Sequence, residues 1–236
     1  MYHVTFRGTH REAGLRRGRF LASHGNFILQ NAPFPVTQAR LQFAQQCVPI
    51  YRRFFPAVLQ EIEGLAEGQG CAPQALQAIL FSMYAMPPAS CCSCFAVSNG
   101  AQVFLARNSD FLLALQHWNG NVIYRLDGRC FHFTGNTTAF VEIEDGVNEH
   151  GLAAGLTSVS PGRIQPGLNA GMLLRLMLET CRTVEQALAL ARRVPIASAQ
   201  TLTLADAGGA IAVLECNSSR LEVVRPAPGR PFVCAT

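Results

Sequence analysis

The chain has 236 residues, of which 49% are hydrophobic, and 19 basic against 15 acidic residues give a formal net charge of +4. This length and apolar content are enough for a sizeable core, and we expect one domain over residues 1–236. The basic residues are scattered and form no dense stripe that could bind a phosphate backbone, which argues against a nucleic-acid partner. No stretch reaches the roughly 18 apolar residues of a membrane span, and the N-terminus has no apolar secretion signal. We therefore expect a soluble, cytoplasmic protein with no membrane partner.

Helical patterns dominate residues 1–91. A short strand is expected at His3–Phe6, and Thr9 with Glu12 three residues later predicts a capping box at the start of the first helix. Apolar residues recur at helical spacing over 37–67, where two prolines predict two or three helical pieces, and a further helix is predicted over 73–85. The arginines of the first helix are expected to form a solvated face: Arg11, Arg16, Arg17 and Arg19.

The pattern changes at Cys92 to short runs with strand character, separated by turn residues. Between these runs, one long helical segment covers 169–193, and Thr183 predicts its division into two helices. Helices followed by strands in this arrangement predict an α+β protein, with a helical part (1–91) and a sheet part (92–236). The predicted strands are 92–97, 102–108, 117–127, 130–135, 139–144, 151–159, 201–206, 210–216, 221–226 and 231–236.

Nine cysteines are an odd number, and three of them lie within the four residues CCSC at 91–94. Most cysteines in a core-forming chain are small buried hydrophobes, so we expect no disulfide framework. The element from Cys91 to Cys94 has the spacing of a CxxC motif, which can bind zinc or act as a redox pair. A structural zinc needs four ligands, and the chain has neither a second CxxC nor an HxxxH, so we expect no metal here.

The hairpin after this cluster selects one thiol. Asn99-Gly100 between two alternating runs predicts a two-residue type I′ turn. With that turn Cys92 lies directly opposite Arg107, and Asp110 follows at the end of the strand. A permanently charged guanidinium favours the thiolate, which is the reactive form of cysteine. We therefore predict that Cys92 is a nucleophile.

A cysteine nucleophile needs a base, and none of the six histidines has a sequence context that marks it as one. The α-amino group of the nucleophile itself can serve, with a pKa of about 7.7–8.0. This solution requires Cys92 to become an N-terminus. Because Pro87-Pro88 ends the preceding helix, we expect a loop at 89–91 and self-cleavage between Cys91 and Cys92.

Three motifs in order resemble a known family: CSCFA at 92–96, RNSD at 107–110 and NEHGLA at 148–153. Together they resemble the choloylglycine hydrolase and acyl-coenzyme A:isopenicillin N acyltransferase group of N-terminal-nucleophile hydrolases. The likeness extends over nearly the whole chain. It implies an αββα fold, in which two stacked antiparallel sheets lie between helical layers.

The resemblance also implies roles for individual residues. Cys92 would attack an amide or thioester carbonyl, Asp110 would hold its α-amine, and Arg107 would orient and polarise the thiolate. Backbone N–H groups, Asn148 and Thr157 would stabilise the oxyanion. The implied substrate is a small linear or lactam-linked amide or an acyl thioester, with no metal and no bound cofactor. Hydrolysis and acyl transfer both remain open, and the sequence is compatible with a homo-oligomer.

Two departures from the family pattern support a second hypothesis. Thr157 stands where the family has an asparagine, and the family's last strand continues with an asparagine beyond the position of Thr236. We expect either a shortened C-terminus or one oxyanion donor fewer. A catalytically silent, uncleaved member that acts as a binding or structural protein is the resulting alternative. A third hypothesis is metal binding through Cys91, Cys92 and Cys94.

Overall fold

A computed structural model describes residues 2–86, 91–110 and 118–236 of the protein. In these residues helices form mainly the first third of the chain, and strands form most of the rest. The helices are α1 (His10–Ser23), α2 (Ile28–Asn31), α3 (Gln38–Phe54), α4 (Pro56–Gln69), α5 (Pro73–Ser82), α6 (Ala170–Thr180) and α7 (Val184–Ala191). The strands are β1 (Tyr2–Gly8), β2 (Cys91–Ser98), β3 (Val103–Asp110), β4 (Gly120–Leu126), β5 (Phe133–Thr137), β6 (Asp145–Asn148), β7 (Ala153–Thr157), β8 (Gln200–Ala205), β9 (Ile211–Cys216), β10 (Leu221–Val224) and β11 (Phe232–Ala235).

The strands form two stacked sheets. The larger has the order β1-β4-β5-β6-β7-β8-β9-β10, and the smaller has the order β11-β2-β3. Neighbouring strands are antiparallel except for the parallel pair β1 and β4. The small sheet packs on β7, β8 and β9, while α6 and α7 also contact the large sheet. The predicted α+β class is confirmed.

Apolar side chains form two clusters that follow these layers. The larger cluster joins the helices to the large sheet. The smaller one lies between the sheets and comprises Ala96, Ala205, Ile211, Val213 and Val233. Strand alternation places the neighbouring side chains of the small sheet on its other face, where Phe95, Phe104 and Phe232 are exposed.

Several local signals in the sequence are confirmed. Thr9 and Glu12 form the predicted capping box of α1. The Thr183 side chain accepts a hydrogen bond from the Gln186 N–H at the start of α7, so the segment 169–193 is divided as predicted. Pro56 opens α4, whereas Pro49 lies inside α3, and the segment 37–67 therefore makes two helices.

Two sequence predictions about charged segments are wrong. Residues 139–144 form a buried turn instead of a strand, because the Thr137 hydroxyl accepts a hydrogen bond from the Ala139 N–H and Phe140 adopts a φ of +60°. The strand follows at 145–148. On α1, Arg17 is buried and donates to the hydroxyls of Tyr2 and Tyr124, so it does not belong to the solvated face.

Helices α1 and α4 touch through their backbones. A Cβ atom added at Gly14 would lie 1.9 Å from the Glu61 carbonyl oxygen, and one at Gly64 would lie 2.0 Å from the Arg11 carbonyl oxygen. Real Cβ atoms do not approach backbone so closely, and only glycine fits at either position. This contact fixes the position of α4, and with it the Glu61 side chain.

Glu61 takes part in a buried ion pair that joins the helical part of the chain to the sheet. Arg175 of α6 donates through Nη2 to Glu61 Oε2 at 2.5 Å, and neither side chain is exposed. The same guanidinium donates through Nε to Glu179 Oε1 at 2.9 Å and through Nη1 to the Val141 carbonyl at 2.7 Å. Tyr124 of β4 donates to Glu61 Oε1 at 2.8 Å. The network therefore connects α4, α6 and β4.

In the described ranges, no helix has both the length and the apolar character to cross a lipid bilayer.

Replacing Arg175 by methionine should lower the free energy of unfolding by about 3–5 kcal/mol, because Glu61 would keep a buried charge without its cation. Urea denaturation followed by circular dichroism measures this change. The matched control is Arg11→Ala, which removes the exposed pair with Glu67 and should cost about 1 kcal/mol or less. Equal losses in the two variants would contradict the role given to Arg175.

Candidate active site

The hairpin of β2 and β3 has a different register from the predicted one. The Asn99 side chain accepts hydrogen bonds from the N–H groups of Ala101 and Gln102, and Gly100 has a φ of +85°. Asn99 therefore caps the turn, and Gly100-Ala101 become its central residues, as in a type II′ turn. The strands shift accordingly. Arg107 lies opposite Cys94, and Cys92 lies opposite Ser109.

Arg107 nevertheless reaches Cys92. The two residues are diagonal neighbours on the face that points to the large sheet, a separation that a long side chain can span. Arg107 Nη2 lies 3.1 Å from Cys92 Sγ, and Cys92 is 5% exposed. The predicted contact is therefore present in the structure, although the register from which it was predicted is wrong.

The guanidinium is held from three further directions. Its Nε donates to the Leu156 carbonyl oxygen at 2.7 Å. Its Nη1 lies 3.3 Å from Glu144 Oε2 and 3.3 Å from Asp145 Oδ2. Only 4% of the Arg107 side chain is exposed, so these contacts are largely shielded from solvent. The side chain has one orientation in which all of them form, and that orientation points Nη2 at the thiol.

Charges around Arg107 keep it a cation. Burial alone would lower the pKa of Arg107, but Glu144, Cys92 and Asp145 together raise it above its ordinary value. Burial raises the pKa of Asp145, an effect that Asn136 and Arg107 oppose. The site thus contains a fixed positive charge that contacts two acidic side chains through Nη1 and the thiol through Nη2.

A second ring of donors orients the carboxylates. Glu144 Oε1 accepts from the Tyr84 hydroxyl at 2.8 Å, from the Thr138 hydroxyl at 2.5 Å and from the Thr138 N–H at 3.0 Å. Asn136 Nδ2 donates to Asp145 Oδ1 at 2.6 Å. Burial and Glu144 raise the pKa of Tyr84 well above its ordinary value, so its hydroxyl remains a donor.

Tyr84 belongs to the helical part of the chain and has an unusual backbone conformation. Its φ is +55°, in the left-handed region that bulky residues avoid, at a cost of about 1–3 kcal/mol. This conformation accompanies a side chain that contacts Glu144 across 60 positions of sequence. The helical part therefore supplies a side chain to the environment of Arg107.

Cys94 is a core residue, as the sequence predicts. It is 1% exposed, and burial raises the pKa of its thiol to about 11. A Cβ atom added at Gly155 would lie 2.7 Å from Cys94 Sγ and 3.5 Å from Arg107 Cδ. Glycine at this point of β7 therefore leaves room both for the Cys94 thiol and for the Arg107 side chain.

Thr157 ends β7 one residue after the carbonyl that holds Arg107. Its side chain is fully buried, and Oγ1 has no hydrogen-bond partner in the parts of the chain that the structure describes. A buried hydroxyl without a partner is costly, unless a ligand completes it. Among the described residues, Thr157 therefore has an unpartnered hydroxyl one residue beyond the Leu156 carbonyl that binds Arg107.

Asn148 and Asp110 lie elsewhere. Asn148 Nδ2 donates to the carbonyls of Leu178 and Cys181, so both of its N–H bonds are used and none remains for an oxyanion. Asp110 is exposed, accepts from Asn108 Nδ2 at 2.7 Å and pairs through its backbone with Cys91. It therefore flanks the 91–92 peptide, while its side chain lies on the face of the hairpin opposite the Cys92 thiol.

Of the loop expected at 89–91, the structure describes Cys91 alone. Cys91 is the first residue of β2 and not a loop residue. Residues 89 and 90 lie outside the described residues, as does Pro87-Pro88.

Glu144, Asp145 and Tyr84 were missed by sequence reasoning. The stretch FVEIED contains three acidic residues within four positions of an apolar run, and this was the available signal. The same alternation of apolar and acidic residues is also typical of a strand, which is why the sequence predicts a strand at 139–144. Tyr84 carries no local signal, because only the fold brings it to Glu144.

A cavity of about 590 Å³ lies beyond the C-terminal end of β7. Thr201, which pairs with Thr157 across β7 and β8, lines it together with Val159 and Thr236. Its volume falls within the range of about 300–1,000 Å³ that small-molecule sites occupy.

Comparison with solved structures finds distant similarities. Penicillin V acylase from Agrobacterium tumefaciens aligns at 18% identity and a TM-score of 0.36, over 58% of this chain and 42% of that chain. A mutant of the conjugated bile acid hydrolase from Clostridium perfringens aligns at 15% identity and a TM-score of 0.34, over 61% of this chain and 44% of that chain. The alignments thus span less than half the length of either structure. No curated protein sequence matches the chain significantly.

The family model of the acyl-coenzyme A:6-aminopenicillanic acid acyl-transferases matches residues 97–235, more than half of the chain. The matched segment includes Arg107, Asp110 and Thr157, and it begins just after Cys92. The chain belongs to the acyl-coenzyme A:6-aminopenicillanic acid acyl-transferase family.

Proposed function

We propose that the protein is a cysteine N-terminal-nucleophile amidohydrolase or acyltransferase that acts on small amides or acyl thioesters. The observation that carries the proposal is the 3.1 Å contact between Arg107 Nη2 and Cys92 Sγ. The guanidinium places a fixed positive charge beside the sulfur atom that would attack the substrate. Family membership supports the same reaction class.

The first step is attack by Cys92 Sγ on the carbonyl carbon of the substrate. The C–S bond forms as the carbonyl π bond breaks, and the negative charge moves to the carbonyl oxygen. In our proposal this oxyanion accepts from the Thr157 hydroxyl, which has no other partner among the described residues. Donors aimed in advance at a developing charge contribute strongly to such reactions.

The second step expels the leaving group. The C–N bond of an amide breaks, and the departing nitrogen takes a proton from the α-ammonium group of Cys92, which then acts as the base for the next nucleophile. Water at that stage completes a hydrolysis, and an amine completes an acyl transfer. In our proposal the acyl group or the amine occupies the cavity lined by Thr201, the residue that pairs with Thr157 across β7 and β8.

The free α-amine requires cleavage of the 91–92 peptide. In our proposal Cys92 Sγ attacks the carbonyl carbon of residue 91, the C–N bond breaks, and the nitrogen gains a proton. Water then hydrolyses the resulting thioester, which leaves a carboxylate on Cys91 and restores the Cys92 thiol. In our proposal the carboxylate of Asp110, whose backbone pairs with Cys91, holds the new ammonium group.

A silent, uncleaved binding protein is the second candidate function. The observation in its favour is that Asn148 has no free donor, which leaves Thr157 as the side-chain donor proposed for the oxyanion. A panel of acyl amides and acyl thioesters, tested on protein whose N-termini have been sequenced, separates the two. Turnover by cleaved protein supports the enzyme, and intact protein that turns nothing over supports the binding role.

Cys92→Ala should reduce kcat/KM at least about a thousandfold, because the nucleophile is lost. Cys94→Ala is the matched control, since it removes a buried thiol two residues away that does not act as nucleophile, and it should keep most of the activity. Initial rates on the best amide of the panel provide the measurement. A comparable loss in both variants would contradict the assignment of Cys92.

Arg107→Lys should reduce kcat/KM about tenfold to a hundredfold, although it preserves the charge, because an ammonium group cannot make all four contacts of the guanidinium. The rate of thiol alkylation by iodoacetamide should fall as well. Arg125→Lys, at an exposed position of β4, is the control and should leave both rates unchanged. Unchanged alkylation in Arg107→Lys would mean that Arg107 is only a structural ion-pair member.

Freshly purified protein should separate on denaturing mass spectrometry into two fragments, residues 1–91 and 92–236, whereas Cys92→Ala should remain a single chain of 25.6 kDa. Native mass spectrometry should show the fragments associated. Protein that hydrolyses amides while its mass stays that of the intact chain would overturn the free-amine mechanism.

A further inference from the structure

The structure brings together one imidazole, one thiol and one carboxylate that are distant from one another in the sequence. None of them belongs to the Cys92 site. Ligand atoms of His10, Cys130 and Glu179 all lie within 4.8 Å of one another. His10 is the first residue of α1, Glu179 lies in the last turn of α6, and Cys130 lies in the connection between β4 and β5. We propose that these three side chains bind one Zn²⁺ ion.

The distances suit a tetrahedral zinc ion. Zn²⁺ binds nitrogen and carboxylate oxygen at about 2.0–2.2 Å and thiolate sulfur at about 2.3 Å, so two ligand atoms of one ion are separated by roughly 3–4 Å. His10 Nε2 and Glu179 Oε2 are 3.0 Å apart before any ion is added. To bind one ion, this contact would widen slightly and the Cys130 sulfur, which lies within 4.8 Å of both atoms, would approach them.

The carboxylate is already oriented as a single-oxygen ligand. Glu179 Oε1 accepts from Arg175 Nε at 2.9 Å, which leaves Oε2 to face His10. Such outer contacts fix the direction of metal ligands. Arg175 pairs with both Glu61 and Glu179, so one guanidinium faces two carboxylates, and Glu179 keeps Oε2 directed at His10.

The sulfur has no strong competing partner among the described residues. Cys130 Sγ lies 3.6 Å from the Asp127 carbonyl oxygen and 3.9 Å from the Leu126 carbonyl oxygen, which are weak thiol contacts. Cys130 is partly exposed, whereas His10 and Glu179 are buried. Solvent therefore reaches the site from the Cys130 side, which provides both an entry path and a water for the fourth position.

Binding exchanges a proton for the metal. The thiol proton of Cys130 passes to solvent as the S–Zn bond forms. His10 would coordinate through the Nε2 lone pair, so the ring N–H of the metal-bound form is on Nδ1. Imidazole, thiolate and carboxylate form a mixed set that suits Zn²⁺ better than Mg²⁺ or Ca²⁺, which prefer oxygen ligands.

Cobalt(II) is the probe, since it takes the place of zinc and reports thiolate ligation by a charge-transfer band in the near ultraviolet. Metal-free full-length protein titrated with Co²⁺ should develop this band with about one ion per chain. Cys130→Ser should abolish the band, and His10→Gln should weaken it. Cys71→Ser, which removes another partly exposed cysteine, should leave it unchanged.

Stability gives a second readout that does not depend on activity. Excess Zn²⁺ should raise the Tm of the unchanged protein but not that of Cys130→Ser, because an ion that binds only the folded state stabilises it. Without metal, Cys130→Ser should melt near the unchanged protein, which shows that it folds; Cys130→Ala serves if it does not. Absence of the band, its persistence in the Cys130 variants, or its loss in Cys92→Ala instead would overturn the proposal.

Discussion

The buried pair of Glu61 and Arg175 is the interaction on which the arrangement of the helical part and the sheet depends. A guanidinium with no exposure to water is tolerated only when its donors are matched, and here carboxylates and a main-chain carbonyl match them. The backbone contact of α1 with α4 then determines where Glu61 can lie. Packing and charge pairing therefore act together, because α4 cannot shift along α1 without also moving Glu61 relative to Arg175.

Arg107 repeats this solution between the two sheets, with a different result. Its donors are also matched by carboxylates and a carbonyl, but one of them points at a thiol instead of a permanent partner. One carboxylate, that of Glu144, comes from the buried turn after β5, and the other comes from Asp145, the first residue of β6. Neither belongs to the hairpin that carries Cys92. Rigid support supplied by a distant segment is what allows a long side chain to act as a fixed charge.

The sequence predicted features that depend on neighbouring residues and failed where distant residues compete. Thr9 with Glu12 and Thr183 with Gln186 are caps closed within one helical turn, and both are present. The Asn99-Gly100 signal predicted a hairpin correctly, but the Asn99 side chain bonded to the backbone and moved the turn by one residue. Glu144 and Tyr84 could not be paired from sequence, because their contact needs the helical part docked on the sheet.

Asn148 illustrates a different limit. Asn148 lies in one of the motifs by which the sequence resembles the family, and it is buried. Its side-chain amide nevertheless closes the turn between β6 and β7 and binds the end of α6. A motif match identifies a residue type at a position, whereas its role depends on which partners use its donors. The hydroxyl of Thr157 is the contrasting case, since only the three-dimensional structure shows that no other described residue binds it.

The contacts of Glu61 with Arg175 and of Tyr84 with Glu144 both cross the proposed cleavage point. An uncut chain holds these pairs together at any dilution, because they belong to one molecule. After cleavage the same pairs become the interface of a heterodimer, and their occupancy obeys mass action. Cleavage of a single peptide bond would thus convert a folding contact into a subunit contact, whose occupancy depends on the concentration of the two fragments.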